Sequence, residues 1–339
     1  MKAPGFWTER NALAWLFYPV SLVYGRISLA RFKKEARYKA HMPVLCIGNL
    51  VMGGAGKTPT ALTLGRMAKS QHLTPIFLTR GFKGQEAGPL LVDPQTHSIA
   101  DVGDEALLLA RVAPTIVSRD RVAGAKLAEE ISGGKEGSII IMDDGFQNPY
   151  LHKDFNLIIV DSQQGLGNGF VFPAGPLRAP LHPQVWRADQ FVIVGEGDKA
   201  PTLHQLFSRL GKGAVSACLQ PDKCSLLGGT RVFAFCGIGQ PEKFYRTLSQ
   251  LDLAVIDHIN FDDHHSFSRE EGQEILDRAD AQNLEIVTTA KDHVRLAELG
   301  DIGTQLAQKA HVIEVDMCFE DKGFAARVLG EVLRKFSRR

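Results

Sequence analysis

The chain reads as an α/β protein in which apolar strands alternate with helices over two stretches, so each half should hold a mostly parallel sheet. Two observations carry that expectation. The apolar run Val44, Leu45, Cys46, Ile47 feeds a glycine-rich turn, GGAGKT at 53–58, the pattern of a buried strand entering a helix N-terminus. Further on, Ile139, Ile140, Ile141 and Met142 end in the acid pair Asp143 and Asp144. A P-loop NTPase-like unit is therefore expected over residues 42–180 and a second α/β unit over 181–320. A membrane-associating helix is expected over 1–41, and a C-terminal helix over 321–339 that packs back on the first unit.

Residues 12–30 are apolar apart from Arg26 and a few small polar groups, and the basic run RFKKEARYK follows directly. Pro19, Gly25 and Arg26 interrupt the about 20 apolar residues that a spanning helix needs. A secretory signal would carry its charges before the apolar run and a small-residue cleavage site after it, and neither is found. The favoured reading is a helix lying in a membrane interface, with Trp7, Trp15, Phe17, Tyr18 and Tyr24 inserted and the basic residues on anionic headgroups. A helix packed on the core or on a second subunit, and a true span, stay open as alternatives.

In the turn, Gly53, Gly54 and Gly56 lack β-carbons, so backbone N–H groups can converge on phosphate oxygens at the start of the next helix. With Ala55 and Pro59 they form the expected ATP cradle; Lys57 supplies charge for the β- and γ-phosphates and Thr58 a hydroxyl for Mg²⁺. The usual GxxxxGK[ST] spacing would place glycine where Val51 stands. Deviant P-loop ATPases that partition cargo carry lysine just before the glycine pair, where this chain has Met52.

The second strand, PIFLTRGF, ends in Arg80, at the strand end where α/β sheets meet ligands; a solvated loop arginine is the competing reading. VGDE at 102–105 opens a helix, and Asp104 reads first as its N-cap. The strand TIVS leads into a helix that begins with Arg119 and Arg121. Asp143 and Asp144 match a Walker B arrangement for holding Mg²⁺ directly or through water. A GTPase is excluded, since neither aspartate has the glycine of DxxG and no NKxD occurs. The loop QQGLGNGFVFPAGPLRAPLHP holds four glycines and four prolines, a long irregular stretch of the kind that carries function, and Arg178 is its well-placed charge.

The second series places strands near 190–194, 214–219, 231–236, 253–259, 284–289 and 311–315, with helices near 241–250, 268–281, 291–299 and 322–337. Within it, HINFDDHHSFS gathers His258, Asp262, Asp263, His264 and His265. Three readings stand: a transition-metal cluster, a polar loop with a helix cap at Ser268, or a histidine that crosses the cleft to an acid of the first unit.

The five cysteines are odd in number and show no CxxC spacing, which points to reduced thiols in a cytosolic setting. Residues 1–41 hold eight basic against two acidic side chains, a surplus of six, so the rest carries −5 within the total of +1. That main body offers no nucleic-acid surface.

In this order, GNLVMGGAGKTP, VGDE, DDGFQ, GNGFVFPAGPLR, FDDHHSF and TTAKD resemble the tetraacyldisaccharide 4'-kinase family of lipid A biosynthesis, from the N-terminal helix to about Asp292. The resemblance implies two α/β/α domains joined by a short linker, with the active site in the cleft. It implies ATP- and Mg²⁺-dependent transfer of the γ-phosphoryl group to the 4'-hydroxyl of a tetraacylated glucosamine disaccharide 1-phosphate, giving lipid IVA, by a cytoplasmic protein bound peripherally to the inner membrane. Carried over, Lys57 and Thr58 hold phosphates and metal, Asp143 and Asp144 serve the metal, Asp104 takes the sugar hydroxyl proton, and His264 orients and tunes Asp104. Arg80, Arg121, Gln147 and Arg178 are the candidate substrate contacts. Two positions depart from the family pattern, Ala179 and Ala290, where glutamate is usual. The competing function is a membrane-associated P-loop ATPase that works as a nucleotide switch without a small-molecule acceptor.

Overall fold

The computed structural model describes residues 4–222, 225–263 and 265–339. Its strands are β1 Val44–Asn49, β2 Thr74–Thr79, β3 Leu90–Leu91, β4 Thr115–Val117, β5 Ser138–Asp143, β6 Phe155–Asp161, β7 Gln190–Val194, β8 Ala214–Pro221, β9 Arg231–Cys236, β10 Ala254–Asn260, β11 Glu285–Thr289, β12 Ala310–Ile313 and β13 Val315–Phe319. The α-helices are α1 Ala12–Phe32, α2 Lys57–Ser70, α3 Ile99–Val102, α4 Asp104–Ala110, α5 Arg121–Ser132, α6 Leu181–Arg187, α7 Ala200–Arg209, α8 Pro241–Gln250, α9 Arg269–Gln282, α10 Ala290–Arg295, α11 Asp301–Lys309 and α12 Phe324–Ser337.

Among the described residues nine strands form one sheet in the order β13-β8-β7-β6-β1-β5-β2-β4-β3. Only its two edges, β13 and β3, pair antiparallel. At its centre β1 is buried along its whole length, as a strand covered on both faces has to be. Alternation sorts the side chains: Val44, Cys46, Ile140, Met142 and Ile158 enter one core layer. Leu45, Ile47, Ile139, Ile141 and Leu157 enter the other, with Ala61 and Leu64 of α2 and Val328 and Leu329 of α12. Each such aliphatic contributes about 1.5–3 kcal/mol when fully buried, which fixes the strand ends that carry the site.

The second sheet is all parallel, in the order β10-β9-β11-β12, and has its own two apolar layers. The boundaries differ from the sequence expectation. β7 and β8, assigned to the second unit, hydrogen bond into the first sheet, and β13 returns to the same sheet, so the smaller unit runs only from β9 to β12. The strand expected near 311–315 is two, since the chain leaves the small sheet at Ile313 and joins the large one at Val315. Periodicity tells a strand that it has a buried face but not which neighbour it pairs with. The C-terminal helix α12 packs on the large sheet, on the same face as α2.

Helix α1 is capped by Asn11, whose side chain accepts from the Ala14 N–H, and it continues through Pro19. Its buried positions, Ala14, Ser21, Gly25 and Phe32, form one narrow stripe of mostly small residues. That stripe lies on the glycine- and proline-rich loop: the Ser21 hydroxyl donates to Val171 O at 2.5 Å, and Ala14 packs with Phe170 and Ala174. The large apolar side chains Trp15, Leu16, Val20, Leu22, Val23 and Ile27 remain exposed, Leu16 by 70%. The helix is thus both docked and open, long and apolar enough to cross a membrane by length and composition.

Candidate active site

The turn after β1 is tied at its base by Asn49, whose side-chain amide donates to Gly53 O at 3.1 Å. Gly56 has φ +91° and stands immediately before α2, a left-handed position that a β-carbon would strain. The helix starts at Lys57, so the turn's N–H groups run straight into its first turn. Val51, where the usual pattern has glycine, is 1% exposed and forms a β-bridge with Leu177. Its side chain lies in the same buried apolar cluster as Leu177, the residue before Arg178.

Thr58 and Lys57 face the end of β5. The Thr58 hydroxyl donates to Asp143 Oδ2 at 3.1 Å, and Lys57 Nζ lies 3.9 Å from Asp144 Oδ2. Asp143 is 1% exposed, and its Oδ1 is buried without a hydrogen-bond partner. Burial, reinforced by the negative charge of Glu105, pushes its carboxyl up to about 7, against the pull of Lys57. Asp144 takes φ +52°, which turns its side chain away from the strand line. Burial would raise its carboxyl too, but Lys57 and Arg178 outweigh it and hold it down to about 2. The two adjacent acids are thus driven apart.

Arg178 reaches Asp144 with two parallel bonds, Nη1 to Oδ1 at 2.7 Å and Nη2 to Oδ2 at 3.1 Å, and its Nε donates to Val51 O at 3.1 Å. Gln147 is committed internally: its amide donates to Asn49 O at 2.8 Å and to Gln184 Oε1 at 3.1 Å, while its oxygen accepts from Arg178 at 3.3 Å. It braces Arg178 instead of facing a ligand. Lys153, half-buried beside the DDGFQ turn, donates to Phe146 O at 3.1 Å and also to Asn148 O. Arg121 is 3% exposed, donates to Thr79 O at 3.1 Å and to Ser118 O, and is lowered to about 10 by burial. It lies beneath the strand ends, whereas Arg80 at the end of β2 is exposed.

Asp104 is not the N-cap that its position suggested. Gly103 (φ +84°) fills that place and Asp104 is the first helical residue of α4, only 2% exposed. Its Oδ1 accepts from the Glu105 N–H at 2.8 Å, and its Oδ2 is ion-paired with Arg295 of the smaller unit. Beside that pair Lys291 bonds Glu105 at 3.0 Å. Burial opposes the Lys291 charge, but Glu105 and then Asp104 carry its ammonium above the ordinary lysine range. On the other side of the cleft Lys243 of α8 pairs with Asp161 at the end of β6. Sequence reading did not single out Arg295 or Lys291; the only local signal was the D-x-x-R spacing of Asp292 and Arg295 at the start of α10.

In the histidine cluster, His264 lies outside the described residues. His265 bonds the Glu271 carboxylate at 2.9 Å and stacks on Phe261. Ser268 caps α9 with a capping box to Glu271. Among the described residues no group of three or more His, Cys, Asp or Glu is arranged to hold a metal ion, which leaves the transition-metal reading without support. The departures are apolar in their setting: Ala179 is 2% exposed, and Ala290 packs beside Val102 and Leu107.

The family model described as Tetraacyldisaccharide-1-P 4'-kinase matches residues 13–333. The chain is 44% identical to a tetraacyldisaccharide 4'-kinase of Allorhizobium ampelinum, covering 100% of this chain and 99% of that relative. It is 45% identical to one of Rhodopseudomonas palustris, covering 95% and 93%. Among solved structures it is similar to LpxK from Aquifex aeolicus, crystallised in complex with ATP, at TM-score 0.72 and 26% identity over 96% of this chain and 99% of that one.

Proposed function

Because the chain belongs to the tetraacyldisaccharide-1-P 4'-kinase family, we propose that its cleft performs that phosphoryl transfer with the residues assembled at the ends of β1 and β5 and across to α4. The protein is a phosphotransferase with an alcohol acceptor: ATP is the donor and the 4'-hydroxyl of a tetraacylated disaccharide 1-phosphate the acceptor. The observation that carries the assignment of roles is the facing of Lys57 and Thr58 on the two unlike acids, Asp143 and Asp144.

Gly53, Gly54, Ala55, Gly56, Lys57, Thr58 and Pro59 cradle the phosphates, with backbone N–H groups and the Lys57 charge turned toward the β- and γ-phosphates. A buried carboxylate oxygen without a partner next to a threonine hydroxyl fits a hard divalent cation, so Thr58 and Asp143 would hold Mg²⁺, and Asp144, occupied by Arg178, would act from behind them. The ion supplies neutralisation of the phosphate charge. Asp104 accepts the proton of the attacking hydroxyl, with His264 as its partner on the strength of the family motif. Because phosphoryl transfer proceeds through a loose transition state, positioning outweighs deprotonation, and the base contributes about 10²–10⁴ in rate. Arg80, exposed at the cleft rim, is the remaining candidate for an anionic group of the substrate.

The exposed apolar face of α1 and the basic run after it support peripheral attachment to the cytoplasmic side of the inner membrane, where an acylated acceptor resides. The test is ATP turnover with and without the acylated disaccharide, scored by labelled phosphate in the lipid. Turnover that depends on acceptor and ends in the lipid supports the kinase roles. Equal turnover without acceptor identifies a nucleotide switch.

A further inference from the structure

We propose that Arg295 is a positioning residue for Asp104: held rigidly by the smaller unit, it crosses the cleft and fixes the carboxylate that receives the sugar hydroxyl. The inference rests on the reading of Asp104 as the proton acceptor.

The Arg295 guanidinium is 4% exposed and is built into its own unit before it reaches across. Its Nη1 donates to Asp292 Oδ1 at 2.7 Å and to Gly237 O at 2.8 Å. Asp292 is itself fully buried, and its Oδ2 accepts from the Thr289 hydroxyl at 2.6 Å and from the Gly237 N–H at 3.0 Å. Thr289 caps α10 by accepting from the Asp292 N–H at 3.1 Å, so the whole bracket is anchored at a helix start. The remaining edge of the planar fork, Nη2, meets Asp104 Oδ2. Asp104 Oδ1 is already held by the Glu105 N–H. Both carboxylate oxygens are therefore held, one by each unit, and the two contacts together set the plane of the carboxylate.

A lysine would not reproduce this. Its point charge cannot serve Asp104, Asp292 and the Gly237 carbonyl from one rigid plane. The ATP cradle, in contrast, lies on the large unit at 53–59, at the start of α2 and not at that of α4 or α10. Loss of Arg295 should thus act on the chemical step and leave the nucleotide site alone. Its effect is bounded by what Asp104 itself contributes.

The experiment measures kcat and the KM for ATP on the detergent-solubilised full chain, for Asp104→Asn, Arg295→Ala, Arg295→Lys and the double variant Asp104→Asn/Arg295→Ala. Expected results are a kcat loss of about 10²-fold for Arg295→Ala with KM for ATP unchanged, and a smaller loss for Arg295→Lys. Millimolar guanidinium should restore part of the Arg295→Ala activity while its neutral analogue urea does not, and the double variant should be scarcely worse than Asp104→Asn. Unaltered kcat in Arg295→Ala, or a full further loss in the Asp104→Asn background without guanidinium rescue, overturns the inference while the proton-acceptor reading stands. Unaltered kcat in Asp104→Asn removes that reading, and the inference with it. If Arg295→Ala does not fold, Arg295→Lys carries the test: kcat and KM for ATP both unchanged in it would overturn the proposal.

Discussion

Asp143 should make the ligand-free protein less stable as pH rises, and replacing it with asparagine should remove that penalty. Its carboxyl is raised from 3.8 to about 7, chiefly by burial, with one oxygen lacking any partner. A folded-state value above the unfolded one means that the native state binds more protons between the two, so the stability it lends is complete below about 4 and is lost as pH climbs through about 7. About three pKa units correspond to on the order of 4 kcal/mol in all, of which roughly 2–3 kcal/mol falls between pH 5 and pH 8. Urea unfolding of wild type and Asp143→Asn without nucleotide or metal, at both pH values, reads this directly. The variant should gain on wild type by roughly that amount as pH rises, and should gain less than wild type from Mg²⁺ with ATP, which stabilises by mass action. A difference that stays flat with pH, or a variant that is the weaker protein at pH 8 without metal, would refute the account of an uncompensated buried carboxylate.

Lys57→Ala should lower kcat by about 10²–10³ or more while the chain still folds and melts cooperatively, since the turn is shaped by Gly56 and its helix, not by the lysine; thermal melts beside labelled-phosphate transfer check it. Arg178→Ala should free Asp144 from the charge that, with Lys57, holds it down to about 2. A depressed carboxyl stabilises above its unfolded value and loses that contribution as pH falls through its folded one, so the acid-unfolding midpoint should move to higher pH. Changing Lys33, Lys34, Arg37 and Lys39 to glutamine should weaken sedimentation with anionic vesicles at low salt by up to about 1 kcal/mol per residue and leave neutral vesicles unaffected. Equal loss on both vesicle types would remove the electrostatic part of membrane attachment. Because the Ala14, Ser21 and Gly25 stripe packs on the loop that carries Arg178, deleting residues 1–32 should also reduce turnover in detergent, where membrane binding no longer matters.

The sequence by itself determined the parts of this protein whose chemistry is local. A strand, a glycine turn and the Lys57–Thr58 pair sit within fifteen residues, and each is set by the backbone freedom or side-chain type of its own position. The same holds for Asp143 and Asp144, because the last residue of a buried parallel strand faces the ligand side of the sheet whatever its neighbours are. Tertiary structure alone decided the rest. Whether β7 and β8 belong to the large or the small sheet depends on which edge offers a register, and both edges look alike to an alternating apolar pattern. Local spacing left Asp104 an ordinary helix cap, and only the family resemblance gave it a chemical role, because its partner Arg295 lies 191 residues away on the other packed unit. Arg178 and Gln147 both stood as candidate substrate contacts, yet Arg178 grips Asp144 and Gln147 is held behind it. Periodicity and composition record how much of a residue is buried; they do not record against what, and the charges across this cleft are assigned by that missing term.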